Sequence, residues 1–276
     1  RPPSEASVQR LEVTIGCSHN KCSFCTMYRK TPFRVAPLED GEVDLKELHD
    51  RGELITRLYL THGDPFALWT DRLVQLAALV HQYLPEVEVL TCYASIQNLK
   101  AKSLEDLKLL KSVGYDELYV GLETAYAPAV KLINKGFTVE EAYENIRKLK
   151  EAGMKYSALL MLGIGGKGHS KESVEATAAL LKKYPPYRVS PLSTAVLRGS
   201  ELEELCDKGE YVQLTERELI EEEKMLLRAL KINDCIFFGS HPYNLITISG
   251  VLPQDREEII KHLDSEMAAW DRDQPG

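Results

Sequence analysis

The sequence contains no apolar run of about 18 residues, the length a helix needs to cross a bilayer, so no membrane partner is expected. Cysteine is scarce, six in 276 residues. Three of them, Cys92, Cys206 and Cys235, stand far apart, which excludes the dense disulfide framework of a small secreted domain and fits a reducing compartment. The opening stretch RPPSEASVQR has no apolar signal-peptide core, so the expected location is cytoplasmic. Basic residues are the minority: 34 Lys and Arg face 42 Asp and Glu, for a net charge of −8. A protein that lives on phosphate contacts concentrates Lys and Arg, so no nucleic-acid partner is expected. Internal repeats and low-complexity tracts are also missing. What remains is an ordinary globular composition, 44% hydrophobic and 28% charged, able to bury a core.

Short β-rich runs alternate with helical ones. LEVTI (11–15), RLYLT (57–61), VEVLTCY (87–93), DELYVGL (116–122), KYSALLML (155–162) and YRVSPLSTAVL (187–197) read as strands. Between them, 69–84 and 170–184 carry helical periodicity. Ser103 caps a helix that ends at Gly114, and Thr138, with Glu141 three residues on, opens another that closes at Gly153. Strands alternating with helices of ten or more residues make parallel βαβ units. Six such strands with right-handed crossovers give an α/β fold, a partial (β/α)6 barrel. Past Gly199 the pattern changes to a charged helix at about 215–231, then CIFFGSHPYNLITISG, two apolar runs around a loop, and a final helix at about 254–270. No Pro/Gly/Ser-rich linker intervenes. Residues 1–205 are therefore expected to form the core, and 206–276 a C-terminal α+β extension packed on it.

The other three cysteines crowd one stretch, TIGCSHNKCSFCTMY, with Cys17, Cys22 and Cys25 inside nine residues. They follow the first strand directly, at the end where parallel α/β proteins place their chemistry. Three thiols cannot pair off as disulfides, and a structural zinc site asks for four ligands. Soft thiolates at this density select zinc, Cu(I) or an iron–sulfur cluster. Three with an open position suit a 4Fe–4S cluster whose fourth iron takes a non-protein ligand.

The loop resembles that of the radical S-adenosylmethionine superfamily, in which three cysteines after the first strand ligate a 4Fe–4S cluster and the fourth iron binds the amino and carboxylate groups of S-adenosylmethionine. The family's usual spacing is three residues and then two; here it is Cys17-x4-Cys22-x2-Cys25, one residue longer in the first gap. The resemblance implies that these cysteines are the metal ligands, that Phe24 packs near the adenine, and that the backbone at Tyr28 meets the adenine amino group. Later strand ends follow in the family's order. THGDP, with His62, Gly63, Asp64 and Pro65, resembles a Gly-Gly-Glu-Pro segment whose carbonyls take the methionine amino group; His62 replaces the first glycine and Asp64 the glutamate. GLETA resembles Gly-x-Glu-Ser, which gives Glu123 and Thr124 the ribose hydroxyls or the amino group, and LINKGFT continues the likeness. LGIGGKG, with Gly163 and Gly165, resembles the glycine loop that lets the backbone pass close to the adenine; it lacks the Gly-Lys-Ser/Thr of a phosphate loop. LRGSEL matches the family's closing turn. The resemblance spans roughly Gln9 to Leu205.

It implies an oxygen-sensitive, anaerobic enzyme that reductively cleaves S-adenosylmethionine to a 5′-deoxyadenosyl radical, which takes hydrogen from a small organic substrate. The electron donor would be a protein such as flavodoxin or ferredoxin. Candidates for the substrate side are Tyr93 and Met161 near strand ends, Arg198 after the sixth strand, and His241 and Asn244 in the GSHPYN loop. Core packing, an ion pair with Glu201 or Glu203, or loop structure accounts for each of them equally well. Two other readings stay open. One is a cluster- or heme-binding trafficking protein on the same fold, with His241 or His62 as an axial ligand. The other is a zinc-stabilised interaction module.

Overall fold

Alternating βα units are what the chain builds, and the computed structural model describes residues 2–273. In chain order come β1 (Gln9–Glu12), β2 (Thr14–Ile15), β3 (Arg34–Val35), α1 (Leu38–Asp50), β4 (Arg57–Thr61), α2 (Thr70–Tyr83) and β5 (Val89–Ala94). Next are α3 (Ile96–Lys100), α4 (Leu104–Ser112), β6 (Tyr115–Glu123), α5 (Ala127–Leu132), α6 (Val139–Glu151), β7 (Lys155–Leu162) and α7 (Ser170–Lys183). The chain closes with β8 (Arg188–Ser193), α8 (Glu201–Asp207), α9 (Glu216–Ala229), β9 (Cys235–Phe238), β10 (Ser249–Leu252) and α10 (Arg256–Asp273). These elements fall into two units: one takes the chain up to Lys21, Met27–Gly121 and Glu140–Tyr156, and the other Cys22–Thr26, Leu122–Val139 and the chain from Ser157 onward.

In the first unit β1, β4, β5 and β6 run parallel in that order, with Leu11 opposite Leu60, Tyr59 opposite Thr91, and Tyr93 opposite Tyr119. The two-residue period of a strand sorts their side chains. Leu58, Leu60, Leu90, Cys92, Leu118 and Val120 share a fully buried apolar face. The other face is polar. There Arg57 meets Glu5 at 2.5 Å and Glu117 at 3.2 Å, and Tyr119 donates to Glu5 at 2.6 Å. Burial pulls the Arg57 pKa down, but the Glu5 hydrogen bond and the two carboxylate charges outweigh it and raise the value overall. Tyr59, Tyr93 and Tyr119 meet edge to face with ring centres 6.0–6.3 Å apart, an arrangement that aromatic quadrupoles favour.

Ser103 and Asp106 form a reciprocal capping box at the start of α4. Helix α1 has no such sequence signal: Pro37 precedes it, and only Gly41, Leu45 and Leu48 are buried, too few apolar positions for a periodic stripe. The first strand divides in two, because Thr14 and Ile15 leave β4 to pair antiparallel with β3.

In the second unit β7 and β8 pair in parallel from Ser157–Arg188 to Leu162–Ser193. Strand β8 stops at Ser193, short of Leu197; the Thr194 N–H (2.9 Å) makes the last bond to β7, at the Leu162 carbonyl, which also accepts the Thr194 hydroxyl (2.7 Å). The CIFF run continues the parallel sheet as β9 beside β8, and β10 closes antiparallel on β9. Helix α9, opened by a Thr215–Glu218 capping box, packs against α7 and α10. The fold class is the α/β one the sequence predicts, with a mostly parallel sheet and flanking helices.

Candidate functional site

Close backbone approach explains Gly63 of the first unit. A Cβ on Gly63 would lie 1.9 Å from the Gly16 carbonyl oxygen, and Gly63 has a φ of +112°, so only glycine lets the cysteine loop and the THGDP segment touch. His62 has a φ of +79°, a conformation that costs a non-glycine residue about 1 kcal/mol or more and gathers at functional sites. Its carbonyl accepts from Thr14 Oγ1 at 3.1 Å, and its half-exposed Nε2 stands 3.4 Å from Glu12. Asp64, 6% exposed, accepts from the Ser18 amide at 3.4 Å and from the Ser18 hydroxyl. Pro65 then opens a 3-10 turn, Pro65–Ala67. Cys17 Sγ accepts from the Asn20 amide at 3.4 Å, and Asn20 Nδ2 donates to the Tyr28 carbonyl at 2.7 Å.

The second unit carries Cys22, Phe24 and Cys25. Between the two cysteines Ser23 is fully buried and tied on every side. Its amide donates to the Ile133 carbonyl at 2.9 Å, its hydroxyl to Leu132 at 2.9 Å, and its carbonyl accepts from Leu202 at 2.9 Å. Phe24 packs on a buried cluster that includes Met161, Ile164 and Tyr211. Glu123 ends β6 with a φ of +60°, the second strained non-glycine residue at a predicted site position. Its carboxylate takes Lys135 Nζ at 2.6 Å, and that ammonium stands 5.5 Å from the centre of the Phe24 ring. Thr124 is buried, its hydroxyl 3.1 Å from both the Ser173 and Thr177 hydroxyls.

Gly163, at the exit of β7, has both backbone polar atoms claimed. Glu222 accepts its N–H at 2.7 Å and Tyr211 donates to its carbonyl at 2.8 Å. Burial pushes the Glu222 pKa up, offset in part by the Gly163 and Ser170 hydrogen bonds. Beside Gly165 lies a cavity of about 310 Å³ lined by Tyr126, Ile164, His169 and Tyr211 among others, at the lower end of the range for small-molecule sites. The Tyr126 and His169 rings, both in its wall, stack with centres 6.0 Å apart.

Cys17, Cys22 and Cys25 are in no disulfide and of intermediate exposure. Among the described residues no three His, Cys, Asp or Glu side chains are gathered as a metal site. Of the substrate-side candidates, Tyr93 joins the tyrosine trio, Met161 is buried in the Phe24 cluster, and Arg198 is exposed before α8. His241 is half-buried against Tyr243, its pKa lowered by burial. Asn244 is spent on backbone: its Nδ2 donates to Pro191 (3.0 Å) and Gly239 (2.8 Å), and its Oδ1 accepts from Ser193 (2.8 Å). Sequence reading missed Ser23, Lys135, Tyr211 and Glu222. Glu222 did leave a signal, since it falls between Leu219 and Leu226 on the buried stripe of α9.

The family model of the radical SAM superfamily matches residues 11–181. A tRNA uridine(34) acetyltransferase of Methanocaldococcus infernus is 27% identical over 43% of this chain and 22% of its own length. An uncharacterized protein of Methanocaldococcus jannaschii is 23% identical over 76% of this chain and 67% of its own. Among solved structures, HydG, a maturase of the [FeFe]-hydrogenase, superposes with a TM-score of 0.59 at 18% identity, covering 92% of this chain and 54% of HydG. The chain thus spans about a fifth of the acetyltransferase and about half of HydG.

Proposed function

Because the chain belongs to the radical SAM superfamily, whose members bind a 4Fe–4S cluster and S-adenosylmethionine, we propose that Cys17, Cys22 and Cys25 ligate the cluster here. The donor set fits: three thiolates follow the first strand, and among the described residues no fourth soft ligand is gathered with them, which leaves one iron for S-adenosylmethionine. The observation that carries this reading is the pair of strained non-glycine residues, His62 and Glu123. Both stand at ends of parallel strands, and both were singled out from the sequence for the same ligand.

In this reading the carbonyls of 62–64 receive the methionine amino group, helped by the close seat of Gly63 on Gly16. Glu123, held by Lys135, presents its remaining oxygen to the ribose or the amino group. Phe24 and the 163–166 backbone flank the adenine, and residues 206–276 serve the same end by supplying Tyr211 and Glu222 to Gly163. With both cofactors bound, the chemistry supplied is reductive cleavage to a 5′-deoxyadenosyl radical. The chain's own part is to bind, orient and exclude water. A small organic substrate suits the acidic balance of the chain better than a polynucleotide, and a flavodoxin or ferredoxin would supply the electron.

The test is anaerobic reconstitution with iron and sulfide, then dithionite and S-adenosylmethionine, with 5′-deoxyadenosine followed by mass spectrometry. The wild-type chain is expected to form it, and a Cys17→Ala, Cys22→Ala, Cys25→Ala variant is not. Zinc bound in place of iron, or iron bound without cleavage, contradicts the proposal.

A further inference from the structure

Lys102 lies in the short link between α3 and α4 and is only 4% exposed. A buried ammonium is costly unless its protons are hydrogen-bonded. Here Nζ donates to the Phe66 carbonyl at 2.7 Å and the Leu68 carbonyl at 3.0 Å, and it stands 4.6 Å from the centre of the Phe66 ring. Those carbonyls belong to the 3-10 turn directly after Asp64 and to the residue that ends it. Asp64 in turn receives the amide and hydroxyl of Ser18, next to Cys17. The link carrying Lys102 is itself pinned, since Lys148 of α6 donates to the Lys102 carbonyl at 2.5 Å and to the Leu99 carbonyl at 2.7 Å. A continuous run of hydrogen bonds and short chain therefore leads from Lys148 through Lys102 and Asp64 to the first cysteine.

We propose that Lys102 is the positioning residue of the 62–68 segment, its ammonium fixing the turn so that the Gly63 and Asp64 backbone is presented to the methionine end of S-adenosylmethionine. This rests on the functional reading above, in which that backbone is a receiving surface. Lys102 acts through the backbone and does not touch the ligand. The charged and titratable groups around it are Asp64 and Asp106, which favour its ammonium, Lys148, which opposes it, and the buried Cys92. Burial is the largest influence and lowers its pKa to about 8, so mild alkali removes the charge. Arginine at this place would stay charged.

The iron-free chain and its Lys102→Met and Lys102→Arg variants are compared by amide hydrogen exchange. The reconstituted chains are compared by equilibrium dialysis with S-adenosylmethionine from roughly pH 7 to 9.5, the interval that brackets a buried lysine. In Lys102→Met, exchange at Ser18 and in 63–68 is expected to rise about tenfold and affinity to fall about tenfold, the scale of one lost charged hydrogen bond. Exchange in 163–166 and iron content should stay the same. Wild-type affinity should weaken with rising pH more than that of Lys102→Arg. An unchanged 62–68 segment in Lys102→Met overturns the proposal, and so does a rise spread evenly over the whole chain. If Lys102→Met does not fold, superimposable pH profiles for wild type and Lys102→Arg overturn it. A wild-type chain that binds no S-adenosylmethionine sinks the functional reading, while the exchange result still decides whether Lys102 orders the turn.

Discussion

Replacing Gly63 by alanine sets a methyl carbon 1.9 Å from the Gly16 carbonyl oxygen, so one of the two backbones must shift. Gly63→Ala is expected to cost about 3 kcal/mol or more in urea unfolding, beyond the usual price of overpacking. Gly153→Ala is the control. It has a φ of +75° but nothing within 4 Å of its added carbon, so it should cost about 1 kcal/mol, the conformational part alone. Glu223 makes a second test at this scale. Its Oε1 is buried without a hydrogen-bond partner among the described residues, and burial raises its pKa from 4.5 to about 8. The folded state therefore keeps a proton that the unfolded chain gives up near 4.5, and stability should fall as pH rises from there through about 8. Glu223→Gln should flatten that slope and gain about 1–3 kcal/mol above pH 8, read from urea midpoints at several pH values. His62 and Glu123 stood out in the sequence through their motifs, but their left-handed conformation did not, because a one-letter code carries no φ. Ser23 was illegible for another reason: its three partners lie more than a hundred residues away.

Under the proposed function helix α9 serves the site without contributing a ligand. It reads as a charged helix, and Glu222 and Glu223 are nonetheless buried at 2% and 4% exposure. Glu222 holds the Gly163 amide, while Tyr211 holds the same residue's carbonyl. Tyr211→Phe should cost about 1 kcal/mol and Glu222→Leu about 2–3 kcal/mol, since the latter leaves a buried N–H unpaired. Under the proposed function both should weaken S-adenosylmethionine binding and leave iron content intact, as dialysis and iron assays would show. The strands and main helices of the repeating region were legible because two-residue and 3.6-residue periods and the cap at Ser103 are local signals. Helix α1 and the parallel docking of β9 on β8 were not. The first has too few apolar positions, and the second depends on pairing partners that a four-residue strand does not name.

For the whole molecule, composition speaks to partners more than to fold. A net charge of −8 predicts that the chain will not retain transfer RNA on a filter at about 150 mM salt, where binding depends on concentrated cationic contacts. Retention there would instead point toward the nucleic-acid chemistry in the name of the acetyltransferase relatives. The order of motifs at successive strand ends made the family legible, and the match over residues 11–181 agrees with it. The substrate was not legible, because the side chains first singled out for it, such as Asn244 and Met161, are occupied in holding backbone or filling the core. The most direct test of the central claim, a three-cysteine cluster with an iron open to S-adenosylmethionine, is electron paramagnetic resonance of the reduced, reconstituted chain. A spin-half cluster signal whose g values move when S-adenosylmethionine is added, and which is absent from the triple cysteine variant, is the predicted result. A signal that S-adenosylmethionine leaves unmoved, or no cluster signal at all, would contradict it.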